Sequence, residues 1–149
     1  MKATYIDYSE TRSFSEGLIR YLSNEAELNS FQSYSPNLQG VTDLLASKKN
    51  NSNREVLVEV LREQYSKLPQ PCNGQVSSNI SLLLQKNTFT VCTGHQLNIF
   101  TGPLYFIFKI VSAINQAKEL KSHFPHKNFV PVYRMAPEDH GFAQINHTY

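Results

Sequence analysis

Thr88-Phe89-Thr90-Val91-Cys92-Thr93 is the stretch that decides the fold. It is dominated by β-branched and aromatic residues, as strands are. A glycine-containing turn follows, from Gly94 to Gly102. Then comes a long amphipathic run from about Pro103 to Phe124, in which Leu104, Ile107, Val111, Ile114, Ala117 and Leu120 recur at helical spacing. Pro103 suits the first helical turn, where its missing N–H costs nothing. Lys118 and Lys121 near the far end complement the helix dipole, and Pro125 stops the helix. Phe129-Val130-Pro131-Val132-Tyr133 reads as the next strand, with Pro131 pointing to an edge or a bulge. Strand, helix and strand over residues 88–135 make a βαβ unit, so the expected class is α/β with two parallel strands.

Upstream, residues 1–87 read as the mainly helical amino-terminal part of the same core domain, and residues 88–149 as its first βαβ unit. Ser13-Phe14-Ser15-Glu16 fits a capping box, with Ser13 as the cap, ahead of a face made by Phe14, Leu18, Tyr21 and Leu22. A second helix is expected over Leu38 to Lys48, despite its interior Gly40. A third starts after Asn53 and carries Leu57, Val60, Leu61, Tyr65 and Leu68 at helical spacing. Pro69-Gln70-Pro71-Cys72-Asn73-Gly74 breaks the chain. Another helix should follow, with Val76, Ile80, Leu83 and Leu84 facing inward.

The chain has 149 residues, enough for one modest domain. Its 40% hydrophobic content suffices for a packed core, which argues against disorder. The net charge of +2, from 14 basic and 12 acidic residues, argues against a dedicated nucleic-acid binder. Lys48-Lys49, beside Asn50, Asn51 and Ser52, reads as a solvated loop. Two cysteines, Cys72 and Cys92, are too few for a disulfide framework, and Cys92 in its apolar run is expected to be a buried free thiol. Met1-Lys2-Ala3-Thr4-Tyr5 shows no secretory h-region, and no stretch approaches a membrane span. The sequons at Asn50, Asn79 and Asn146 are then read as chance. A reducing cytoplasm is the expected compartment.

In a parallel sheet, ligands bind outside the carboxyl ends of the strands. Two polar segments leave that edge. The first is Thr93-Gly94-His95-Gln96-Leu97-Asn98-Ile99-Phe100-Thr101-Gly102-Pro103. Glycine lets a backbone approach a ligand closely, and the helix start offers N–H groups to an anion. An ordinary turn with an N-cap, which Thr101 would supply, explains the same residues. Lys109 on the first turns of the helix reaches an anion or snorkels into solvent. The second segment, Met135-Ala136-Pro137-Glu138-Asp139-His140, offers Glu138, Asp139 and His140 as acid, base or metal ligands, or as a charged surface loop. His95 would join His140 across the edge in a metal-dependent hydrolase. The alternative to that hydrolase is a non-catalytic remnant or binding module. His123 and His126 flank Pro125 at a helix end, where solvent exposure is expected.

Both segments resemble the signature of the bacillithiol-synthesis cysteine-adding enzymes. In that family a strand leads into T-G-x-Q, and T-G-P-L-Y opens a helix carrying a lysine. Thr93-Gly94-His95-Gln96, Thr101-Gly102-Pro103-Leu104-Tyr105 and Lys109 match those features in order. Further on, Pro131-Val132-Tyr133-Arg134-Met135-Ala136-Pro137-Glu138-Asp139-His140-Gly141-Phe142-Ala143-Gln144-Ile145-Asn146 matches P-V-[FY]-W-x-A-x-E-D-H-D-x-x-E-I-N. It departs from that pattern at Arg134, Gly141 and Gln144, where the family has Trp, Asp and Glu. The resemblance implies a Rossmann-like core and a ligase joining cysteine to glucosaminyl-malate in the last step of bacillithiol assembly. Under it, Glu138, Asp139 and His140 are the catalytic candidates. Thr93, Gly94, His95, Gln96, Asn98, Thr101, Gly102 and Lys109 are the candidates for holding substrate or nucleotide. ATP or ADP is the cofactor to consider, with no metal, nucleic acid or membrane partner. The family's chains are several times longer and carry a coiled-coil arm that would pair them as homodimers, so the resemblance also implies a fragment ending just past the second motif.

Overall fold

In the computed structural model, the described residues are 4–48, 52–69, 73–96, 98 and 101–136. They fall into two compact units, 1–51 and 52–149. The first unit holds three helices, α1 (Tyr8–Thr11), α2 (Glu16–Leu22) and α3 (Leu38–Ser47), with a 3₁₀ turn at Ala26–Ser30. Asp7 caps α1 through the Ser9 amide. The Ser9 hydroxyl, and after it the amide, holds the Asp7 carboxyl below its ordinary range. Helix α2 starts later than the capping box predicts: Ser15, not Ser13, accepts from the Leu18 amide. Ser13 instead donates its hydroxyl to the Thr11 carbonyl and belongs to the preceding turn. Gly40 sits inside α3 because a side chain there would strike the Ser35 backbone.

The second unit contains α4 (Arg54–Ser66), α5 (Gly74–Leu82), β1 (Thr88–Gln96), α6 (Leu104–His123) and β2 (Asn128–Ala136). Asn53 and Asn73 cap α4 and α5 by accepting from Val56 and Val76, each satisfying one of the helix's orphan donors. Strands β1 and β2 pair in parallel, from Thr88 with Asn128 to Gln96 with Ala136. The βαβ reading is therefore correct, and both strands run further than their apolar stretches indicate. The register passes through Pro131, opposite Val91, without a bulge, and β2 has one strand neighbour among the described residues. Pro131 is thus an edge residue in this sheet.

One face of the sheet packs against α4 and α5. Val58, Ile80, Leu83 and Val130 form its core, with Leu61, Val76 and Val132 against them. Helix α5 packs on β2, and Thr90 and Cys92 on the same face of β1 are exposed. Cys92 is an exposed free thiol, against expectation: an apolar neighbourhood in sequence does not by itself bury a residue on an open strand edge.

Helix α6 packs across the other face, against both strands. Its buried stripe is Ala113 and Ala117, flanked by half-buried Phe106, Ile110 and Leu120. The predicted stripe is right at Ala117 and Leu120 but wrong elsewhere. Leu104, Ile107, Val111 and Ile114 are 66%, 44%, 45% and 37% exposed. The amino-terminal half of α6 is apolar on more than one side, so periodicity does not single out a face. The alanines decide it, because their small side chains let the helix backbone approach the sheet. Helix α6 starts at Leu104 with Pro103 as its N-cap residue. At its far end Lys121 donates to the carbonyls of Pro125 and Lys127 and to the Asn128 side chain, which satisfies acceptors where the chain turns into β2. No helix among the described residues is long and apolar enough to cross a membrane.

Arg54 joins three elements. From the first turn of α4 it donates to the Leu83 carbonyl at 2.6 Å and to the Thr88 carbonyl at 2.8 Å. Thr88, 1% exposed, donates its hydroxyl to the Leu82 carbonyl at 2.6 Å. The half-buried Arg54 guanidinium thus closes the junction between α5 and β1. Arg54→Ala should cost about 2 kcal/mol in urea denaturation, the range for losing hydrogen bonds from a charged donor. Arg54→Lys should recover only part, because a single ammonium does not reproduce the fork. A cost below about 0.5 kcal/mol would show that the junction holds without it.

Candidate functional site

Because β1 and β2 are parallel and in register, Gln96 and Ala136 end side by side. Both strands therefore end on the same edge of the sheet. The amino terminus of α6 returns to that edge, since Phe106 in its first turn packs edge-on against Tyr133 of β2 and His95 of β1. The Pro103 side chain makes no capping hydrogen bond, so the first turn of α6 has no side-chain cap from its own N-cap residue.

His95 is the hub of this edge. Its Nε2 lies 2.6 Å from the Tyr105 hydroxyl, and its Nδ1 lies 2.9 Å from Asn98 Nδ2 and 3.1 Å from the Gln96 carbonyl. Asn98 Nδ2 also donates to that carbonyl at 3.0 Å. Lys109, one turn beyond Tyr105, holds its ammonium 5.3 Å from the Tyr105 ring centroid and 3.4 Å from the Gly94 carbonyl. The i, i+4 spacing puts Tyr105 and Lys109 on one side of α6. Thr93 is half-buried in β1, and with Val91, Cys92, Tyr105, Lys109 and Gln116 it lines a groove of about 340 Å³ along the open edge of the strand. That volume is at the low end for ligand sites and suits a small charged group.

The two glycines of the first motif have different reasons. Gly94 pairs with Arg134, and a Cβ on it would lie 2.7 Å from the Arg134 carbonyl oxygen. Gly102 has φ +62°, and a Cβ there would come within 2.7 Å of Asn98 Cγ. Its neighbour Thr101 shares the left-handed conformation at φ +68°. A β-branched residue is strained there by an order of 1–3 kcal/mol. Thr101 is exposed and is not the N-cap, which is Pro103.

The structure thus brings Thr93, Gly94, His95, Asn98 and Lys109 together, with Gln96 exposed at the strand end and Gly102 against Asn98. Glu138, Asp139 and His140 lie outside the described residues. Among the described residues no group of three or more His, Cys, Asp or Glu side chains gathers where a metal could be held. Tyr105 is the residue that sequence reasoning omitted, although its spacing from Lys109 would have found it. A larger cavity, about 670 Å³, lies on α4 and α5 and is lined by residues such as Arg62, Tyr65 and Ser81. It shares no residue with the edge groove.

Comparison with known proteins places the chain in a family. Residues 1–149 match the model described as "Bacillithiol biosynthesis BshC, N-terminal Rossmann-like domain". A protein of Flavobacterium psychrophilum named "Putative cysteine ligase BshC" is 44% identical over 99% of this chain and 28% of its own length. A protein of the same name from Christiangramia forsetii is 46% identical over 98% of this chain and 27% of its own length. A third, from Staphylococcus carnosus, is 32% identical over 89% of the chain and 24% of its own. The chain therefore spans little more than a quarter of the length of its first relatives. With its parallel βαβ unit and both strands ending on one edge, the chain belongs to the bacillithiol-biosynthesis BshC family, as the Rossmann-like amino-terminal domain.

Proposed function

We propose that this domain supplies the anion-holding edge of a cytoplasmic ligase that joins the carboxyl group of cysteine to the amine of glucosaminyl-malate, the last step of bacillithiol assembly. The observation that carries the reading is the register that ends Gln96 beside Ala136. It ends both strands on the edge where α6 also begins. Electrostatics favours an anion there: Lys109 contributes a full charge, and the helix start adds the positive end of its dipole.

A carboxylate is a poor acyl electrophile, so amide formation in water needs activation. ATP, if it is the cofactor, would supply that activation as a phosphate or adenylate leaving group on the acyl carbon. The chain's own residues have simpler tasks. Lys109, Tyr105 and the first turn of α6 fit a carboxylate or phosphate, whichever substrate brings it. Glu138, Asp139 or His140 takes the proton that the attacking amine loses. In the longer family members, pairing through a coiled-coil arm completes the assembly. The metal-dependent hydrolase reading is weaker, because both ring nitrogens of His95 already face protein partners.

Calorimetric titration of the chain with malate and with inorganic pyrophosphate tests the reading. At least one should bind, and Lys109→Gln should weaken it about 2- to 5-fold, the range for one exposed charge contact. The difference should shrink at high salt. Equal affinity in both proteins would remove Lys109 from the site.

A further inference from the structure

Tyr105 and Asn98 do more at this edge than fill space. Asn98 Nδ2 donates to the Gln96 carbonyl at 3.0 Å, which fixes the orientation of the amide. The flipped amide would set its oxygen against that carbonyl, two acceptors face to face. The same Nδ2 is 2.9 Å from His95 Nδ1. Its second proton therefore points at Nδ1, which must accept. An imidazole accepting at Nδ1 carries its proton on Nε2. Nε2 lies 2.6 Å from the Tyr105 oxygen, so Nε2–H donates and the tyrosine accepts. The Tyr105 proton is then turned away from His95. Tyr105 is 51% exposed and lines the groove beside Lys109.

We infer that Asn98 is a positioning residue that sets the His95 tautomer, and that His95 in turn makes Tyr105 a hydrogen-bond donor into the Lys109 groove. The ligand served is the carboxylate-bearing substrate of the proposed reaction, so this part rests on that reading. The order of hydrogen bonds does not. Gly102 belongs to the same device, because any side chain there would displace Asn98.

Long-range proton–nitrogen NMR correlation on the chain, at about pH 9 where imidazole is ordinarily uncharged, reads the tautomer directly. The expected result is Nε2–H for His95. In Asn98→Ala the Gln96 carbonyl, 3.1 Å from Nδ1, becomes the partner of that nitrogen, and the proton should move to Nδ1. Asn98→Asp, of equal size but able only to accept, should move it too, and serves if the alanine variant does not fold. Tyr105→Phe should leave the tautomer at Nε2–H, because Asn98 still sets it. Titration with malate gives the second readout. Tyr105→Phe and Asn98→Ala should each weaken binding about 3- to 10-fold, the range for one hydrogen bond. The double variant should be no weaker than either alone, since both remove the same donor. Nδ1–H in the unmodified chain, or no change in either Asn98 variant, overturns the hydrogen-bond order. Additive losses overturn the coupling of Asn98 to Tyr105. If malate fails to bind the unmodified chain, the anion-holding reading falls while the tautomer result still decides the rest.

Discussion

Gly94→Val should lower the stability of the domain by about 3 kcal/mol, the size expected when a side chain is forced against fixed backbone. At this chain length that corresponds to roughly a 10 °C drop in the thermal midpoint. The cause is the Arg134 carbonyl oxygen, 2.7 Å from where the new Cβ would sit. Neither strand can yield locally, because Gly94 pairs directly with Arg134. The strands must part at their carboxyl ends, which loosens the pairing of His95 with Met135 and Gln96 with Ala136. Urea and thermal denaturation followed by circular dichroism measure the effect, with Gly94→Ala as a smaller step in the same direction. A different outcome follows if Gly94 is glycine only to admit a ligand. Stability would then stay within about 0.5 kcal/mol, as for ordinary surface positions, and only anion binding would fall. Gly102→Val makes the complementary case. Its cost comes from the left-handed backbone and the displacement of Asn98, so it should disturb the His95 signals along with stability.

Residues 1–149 by themselves should form no bacillithiol from cysteine and glucosaminyl-malate, with or without ATP. Amide formation requires an activated acyl group and an amine held together, and a misplacement of about 1 Å costs on the order of 100-fold in rate. The groove beside Tyr105 and Lys109 is open and, at about 340 Å³, is small for two substrates. The first relatives devote more than two thirds of their length to residues without a counterpart here. The exposed Leu104, Ile107, Phe108 and Val111 of α6 mark a face that this domain leaves uncovered. The departures at Arg134, Gly141 and Gln144 would be a second cause, and experiment separates the two. Placing Arg134→Trp, Gly141→Asp and Gln144→Glu together in the chain should restore no turnover if the missing surroundings dominate. Thiol labelling and mass spectrometry detect the product. Robust product from the unmodified chain would place the whole reacting site within these residues.

The sequence by itself determined the βαβ unit, because its signals are local. β-branched residues at Thr88 to Thr93, the turn glycines, a long helical run and Pro125 each act within a few residues. The cap at Asn53 follows the same logic. The strand ends were less legible: Gly94, His95 and Gln96 have no strand signature and are held in β1 by pairing with β2. Tertiary structure alone decided which side of α6 is buried, since the choice turned on how closely Ala113 and Ala117 approach the sheet. It alone exposed Cys92, on an open strand edge. It alone joined His95 to Tyr105 and Arg54 to Thr88, residues 10 and 34 positions apart. Sequence pattern records the period of a face and the chemistry of a turn. Which faces meet is settled by packing between distant segments, and the hydrogen bonds at the carboxyl edge exist only once that packing is complete.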